Sequence, residues 1–252
     1  MQITRSEYSV GVALLFVSAL TFSTAGLFTK GVVAGAWAVI FWRGLFAGVF
    51  TTLWTVQQGA FRQSFLSMGR SGLAVGVIGA IGTACFIPAF KLTSIANVAL
   101  IFAASPLIAS VLAWAFIGEK PSRRTILSAV LALLGAAVIV SGSFGSSNLL
   151  GDALALTMTL VMSGVMVIYR ARPHTPSAGP SVLQSLFLLP PAFFLGQPLE
   201  TAPVEIAILM AFGILFAIAS VTLAEGAKRV PSGQTALLSS LETPLAPLLA
   251  FV

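Results

Sequence analysis

Apolar residues run through this chain in blocks of about twenty, divided by short polar and basic breaks. A helix rises about 1.5 Å per residue, so about 20 residues cross a hydrocarbon core of about 30 Å. The blocks predict nine membrane-spanning helices, over residues 8–29, 36–56, 71–90, 93–117, 125–141, 150–169, 181–195, 204–225 and 232–252. The third and fourth are nearly continuous. Pro88 and the polar stretch Lys91, Thr93 and Ser94 divide them, because about 45 residues is too long for one crossing. The seventh is short and ends on Pro190 and Pro191.

Composition strengthens this pattern. Only 8% of the 252 residues are charged and 58% are hydrophobic. A soluble fold of this size could not cover so much apolar side chain, so an ordinary soluble enzyme, a disordered chain and a disulfide scaffold are excluded. The net charge of +6 would suggest nucleic acid in a soluble protein, but the basic residues lie in the loops between spans. No nucleic-acid partner is expected. The one cysteine, Cys85, sits in an apolar run and reads as a small buried residue. The first block is too long for a signal peptide and leads directly into further spans.

With the N-terminus in the cytoplasm, ten loop Lys and Arg residues, from Arg5 to Arg229, fall on the cytoplasmic side. Lys30 and Lys91 alone fall outside, a strong positive-inside bias. The expected location is the cell (inner) membrane, multi-pass. The chain also resembles itself at an offset of about 140 residues. Gly11 and Ala13 meet Gly151 and Ala153, Lys30 meets Arg170, Lys91 and Ser94 meet Arg229 and Ser232, and Pro106 meets Pro244. Similar apolar composition alone would give some such matches. Units of five spans place the second copy upside down, the arrangement of many secondary transporters. The expected fold is therefore an all-α polytopic bundle of two inverted five-helix repeats. Residues 1–145 form the first, and 146–252 the second, lacking its last helix. A tenth span is expected beyond the given residues.

Ala103, Ser105, Pro106 and Leu107, followed by Gly118, Glu119 and Pro121, resemble the "P…GE.P" signature of the EamA family, within the drug/metabolite transporter superfamily. Phe41, Trp42 and Arg43 are similar to the aromatic-Arg motif of its second span. Leu241, Glu242 and Pro244, followed by Pro247, are similar to the "LE.P" motif of its ninth. The resemblance implies ten helices as two inverted units, and export or exchange of small metabolites, commonly amino acids, without ATP. The chain has no Gly-x-x-x-x-Gly-Lys-Ser/Thr run for a nucleotide.

Glu242 falls near the middle of the ninth expected span, where a carboxylate is costly unless it faces a partner or water. It is a candidate contact for a substrate amine, or a proton-coupling group; tying two helices together is the structural alternative. Arg43 offers a fork to a substrate carboxylate, or else snorkels to the interface. Trp42 stands beside it, while the other tryptophans suit an aromatic belt. Asn97, Gln234 and Ser239 are polar groups on the fourth and ninth spans and would line one cavity by symmetry. Interhelical bonding is their alternative. Pro106, Pro244 and Pro247 free backbone carbonyls and are candidate hinges or gates, or plain kinks. Lys91 is a candidate outer gate or a relic of duplication.

No metal, cofactor or catalytic group is expected. His174 is the single histidine, and Cys85 has no obvious partner. The function expected is secondary-active transport, by alternating access, of a small polar metabolite such as an amino acid. A facilitative channel or a passive membrane scaffold is the alternative. The expected partners are the small-molecule substrate and membrane lipid, with the chain a monomer or weak homodimer.

Overall fold

The computed structural model of the chain describes residues 4–141, 148–242 and 245. Among these, the ordered elements are all helices. They are α1 (Arg5–Phe22), α2 (Ala25–Lys30), α3 (Ala36–Gln57), α4 (Phe61–Phe65), α5 (Gly69–Leu92), α6 (Ile95–Phe102), α7 (Ser105–Ile117), α8 (Arg123–Ser141), α9 (Leu149–Ala171), α10 (Ala178–Gly196), α11 (Pro203–Arg229) and α12 (Ser232–Ser239). A 3₁₀ turn, Pro198–Glu200, precedes α11.

The described residues hold seven segments long and apolar enough to cross a membrane: α1 with α2, α3, α5, α6 with α7, α9, α10 and α11. These match seven of the nine expected spans. The fifth, 125–141, is helix α8, which is not among the seven. The ninth begins as α12 and soon leaves the described residues. Prolines break the helices less than the sequence suggests. Pro88 lies inside α5, and Pro190 and Pro191 lie inside α10. The third and fourth spans part instead at Thr93, which is extended, and at Ser94, whose hydroxyl accepts the Asn97 N–H at 3.0 Å to start α6.

Three helices stop inside the bundle, each for a local reason. Between α1 and α2, the Ser23 and Thr24 hydroxyls donate to the Leu20 and Thr21 carbonyls at 2.6 and 2.7 Å, competing with the backbone ladder. Between α6 and α7, Pro106 has no N–H to give Phe102, and its fixed φ suits the first turn of a new helix. After α12, the Ser240 hydroxyl donates to the Leu237 carbonyl at 2.8 Å. Helices α6 and α12 are each eight residues long.

Buried positions are mostly small, such as Ala19, Ala109, Ser163 and Ala236, while Phe116, Leu131 and Phe194 point outward. Lipid tails give helices no hydrophobic reason to associate, so small residues that admit close backbones form the contacts. The longest seams run α1 along α11, α5 along α9, and α3 along α10. A Cβ on Gly11 would stand 2.8 Å from the Arg229 Cβ, and one on Gly151 would stand 2.9 Å from the Thr93 Cβ. Each glycine thus lets its helix pack close to a segment far along the chain.

The bundle has two polar ends. On the N-terminal face, Gly118 adopts φ 68° and closes α7. The following Glu119 turns back to bond Arg170 and the Ser232 N–H, both at 2.8 Å. On the opposite face, Lys91 donates to the Val32 carbonyl at 2.9 Å, and Glu205 accepts the Val33 N–H.

Candidate functional site

Two chambers lie on the bundle's interior. The larger, about 90 Å³, runs from mid-bundle toward the N-terminal face, between α3, α5, α9, α10 and α11. The smaller, about 30 Å³, runs toward the opposite face beside α2, α5 and α6. Phe22, Phe86, Phe102, Met158 and Glu242 line both and form the waist between them. Phe22 and Phe102 are the last residues of α1 and α6, so two of the helix breaks bring aromatic rings to this point.

Arg43 borders the larger chamber with its side chain only 2% exposed. Its guanidinium carbon lies 3.9 Å from the Phe216 ring centroid and 5.6 Å from that of Phe212. The ring quadrupoles attract the cation where water cannot. Gly213 allows this approach, since a Cβ there would stand 2.8 Å from the Arg43 carbonyl oxygen. Among the described residues, the buried Arg43 Nε has no hydrogen-bond partner, and neither has the Ser239 hydroxyl in the same chamber. Buried donors of this kind are costly unless something accepts them. Gln184 donates to the Thr83 hydroxyl at 3.1 Å, and the Ser181 and Ser220 hydroxyls lie 2.8 Å apart, all on the chamber wall. The rest of the wall is apolar, with Met158, Met162, Met166 and Phe216. The arrangement can hold a solute with an anionic end toward Arg43, a cationic end toward Glu242 and an apolar body between.

Three of the residues singled out from the sequence, Arg43, Ser239 and Glu242, meet at this chamber. Others do not reach it. Gln234 accepts the Tyr8 hydroxyl at 2.9 Å near the N-terminal face. Asn97 donates to the Thr93 hydroxyl at 3.2 Å near the opposite face. Both belong to the first turn of eight-residue helices, so they sit at the bundle's ends and not at its middle. The Trp42 indole donates to the Pro198 carbonyl at 3.0 Å, and Lys91 caps Val32; neither lines a chamber. Pro106 is buried at the start of α7, outside both linings. Pro244 and Pro247 lie outside the described residues. The sequence reading passed over Thr83, Ser181, Gln184 and Ser220. Gln184 had a signal, since the repeat offset carries Arg43 to its neighbour Leu183.

No curated protein sequence matches the chain. A crystal structure described only as that of a protein superposes with a TM-score of 0.78 at 22% identity, over 96% of this chain and 87% of that one. That likeness establishes the fold. A family profile described as the EamA-like transporter family matches residues 9–141, more than half of the sequence. A multi-pass membrane bundle carrying that match belongs to the EamA-like transporter family, in the drug/metabolite transporter superfamily.

Proposed function

We propose that the chain is a secondary-active carrier, without ATP, for a small zwitterionic metabolite such as an amino acid or a close relative. The observation that carries this reading is the chamber bounded by Arg43 and Glu242, which places a guanidinium and a carboxyl on one largely apolar wall. Two chambers that share a five-residue waist suit alternating access, in which the solute meets one side at a time.

We take the two halves to be inverted repeats, residues 1–145 and 146–252. Three features support it. The α1–α11 and α5–α9 seams exchange under the repeat. Gly11 packs on Val230 and Gly151 on Leu92, positions that correspond at the repeat offset. Helices α6 and α12 have equal lengths and start at opposite faces. We place the N-terminus in the cytoplasm and the protein in the inner membrane, on the ten-to-two distribution of loop Lys and Arg.

The test is counterflow in proteoliposomes against a labelled panel of amino acids and small metabolites. Saturable exchange lost in both Arg43→Gln and Glu242→Gln is the expected result. Flux without saturation would turn the reading to a channel. No flux for any solute, from folded protein, would favour a scaffold.

A further inference from the structure

A third cavity, about 480 Å³, opens on the N-terminal face where α7, α9 and α11 end. Its wall carries Phe116, Ile117, Glu119, Arg170, Arg172 and Lys228. The carboxylates here are already engaged. Glu119 accepts Arg170 through one oxygen and the Ser232 N–H through the other. Glu225, on the same turn as Lys228, accepts Lys228 through one oxygen, and Arg229 at 2.7 Å through the other. On the cavity wall itself, three cations, Arg170, Arg172 and Lys228, thus stand with one carboxylate, Glu119. The Arg172 side chain is exposed, with no hydrogen-bond or ion-pair partner among the described residues.

The other wall is apolar and faces outward. Phe116 is 78% exposed, and Trp114, on the same end of α7, is 57% exposed. A soluble anion would have no use for that lip. A lipid anchored beside α7 would place its acyl chains against Phe116 and its phosphate among the cations, where surplus positive charge at a membrane interface attracts anionic headgroups.

We propose that this cleft binds the phosphodiester headgroup of an anionic glycerophospholipid, with Arg172 as its free donor and Arg170 and Lys228 as flanking charges. Helix α7 comes from the first half of the chain and α9 and α11 from the second, so the bound lipid bridges the two. The proposal does not depend on the cargo of the central chamber.

The experiment is native mass spectrometry of the full chain with phosphatidylglycerol or phosphatidylcholine as probe, for wild type, Arg172→Glu and Phe116→Ser. Melting curves confirm that each is folded. Wild type should retain phosphatidylglycerol over phosphatidylcholine. Arg172→Glu should lose at least about fivefold of that retention, from removal of one interfacial cation. Phe116→Ser should weaken retention of the lipid but not of inorganic phosphate. Equal retention of both lipids, or unchanged phosphatidylglycerol retention in Arg172→Glu, would overturn the proposal. Full displacement of the lipid by inorganic phosphate would assign the cleft to a soluble anion instead.

Discussion

The guanidinium of Arg43 sits 3.9 Å from the centre of the Phe216 ring, a cation held by an aromatic face inside the bundle. Its Nε has no hydrogen-bond partner among the described residues, and under the proposed function it is a donor for the solute. Phe216→Leu keeps most of the volume and removes the quadrupole. The expected result is about a five- to thirtyfold rise in the half-saturating solute concentration, from about 1–2 kcal/mol of lost attraction. Counterflow kinetics measure it, and an unchanged value would separate Arg43 from binding.

Glu119 ties α7 to both Arg170 and the start of α12 on the N-terminal face. The pair is about one-fifth exposed on each side, so its stabilisation is of order 1 kcal/mol after solvent screening. Glu119→Gln should change overall stability little and loosen that face. With Cys85→Ala as background, a cysteine at Ser181 should react severalfold faster with a membrane-impermeant maleimide added on that side. The unchanged rate would show that the contact does not limit access.

The seam glycines make a paired prediction. Gly11→Ala and Gly151→Ala each force a methyl into contacts under 3 Å, and should destabilise by about 1–3 kcal/mol. The two effects should be alike if the α1–α11 and α5–α9 seams are equivalent, as the proposed repeat requires. Gly35→Ala meets nothing within 4 Å and serves as control. Thermal unfolding in detergent reads all three.

The waist predicts a leak. Phe86→Ala removes one of three rings separating the chambers. Its expected signature is passive, non-saturating efflux of labelled solute, about tenfold or more above the wild-type background if the barrier falls by at least about 1.4 kcal/mol. Tight liposomes with this variant would place the barrier elsewhere.

The sequence made the spans legible because lipid demands apolar runs about 20 residues long, a strong local signal. The breaks were less visible. Those at Ser23 and Ser240 accompany hydroxyls turning back onto the carbonyl three residues before, and nothing in composition separates them from Ser220, which makes the same bond within intact α11. The site was half legible. Arg43 and Glu242 stand out as charges within spans. Gln234 was drawn in by sharing the ninth span with Glu242 and Asn97 by its matching place in the fourth, and the shortness of α6 and α12 keeps both at the faces. Gln184 was hidden in an apolar helix whose register only the repeat could supply.

Eight residues of helix measure about 12 Å. Helix α6 descends that distance from one face and α12 from the other, so their ends reach about the same depth. A charge resting between them would sit near the electrical midpoint of the membrane. The work of moving one charge through the full potential is about 2.3 kcal/mol per 100 mV. For a cargo or coupling ion with net charge, loading from one solution and release to the other would then each carry about half of it. Voltage should speed one step and slow its reverse by equal factors, leaving no single step to bear the whole dependence.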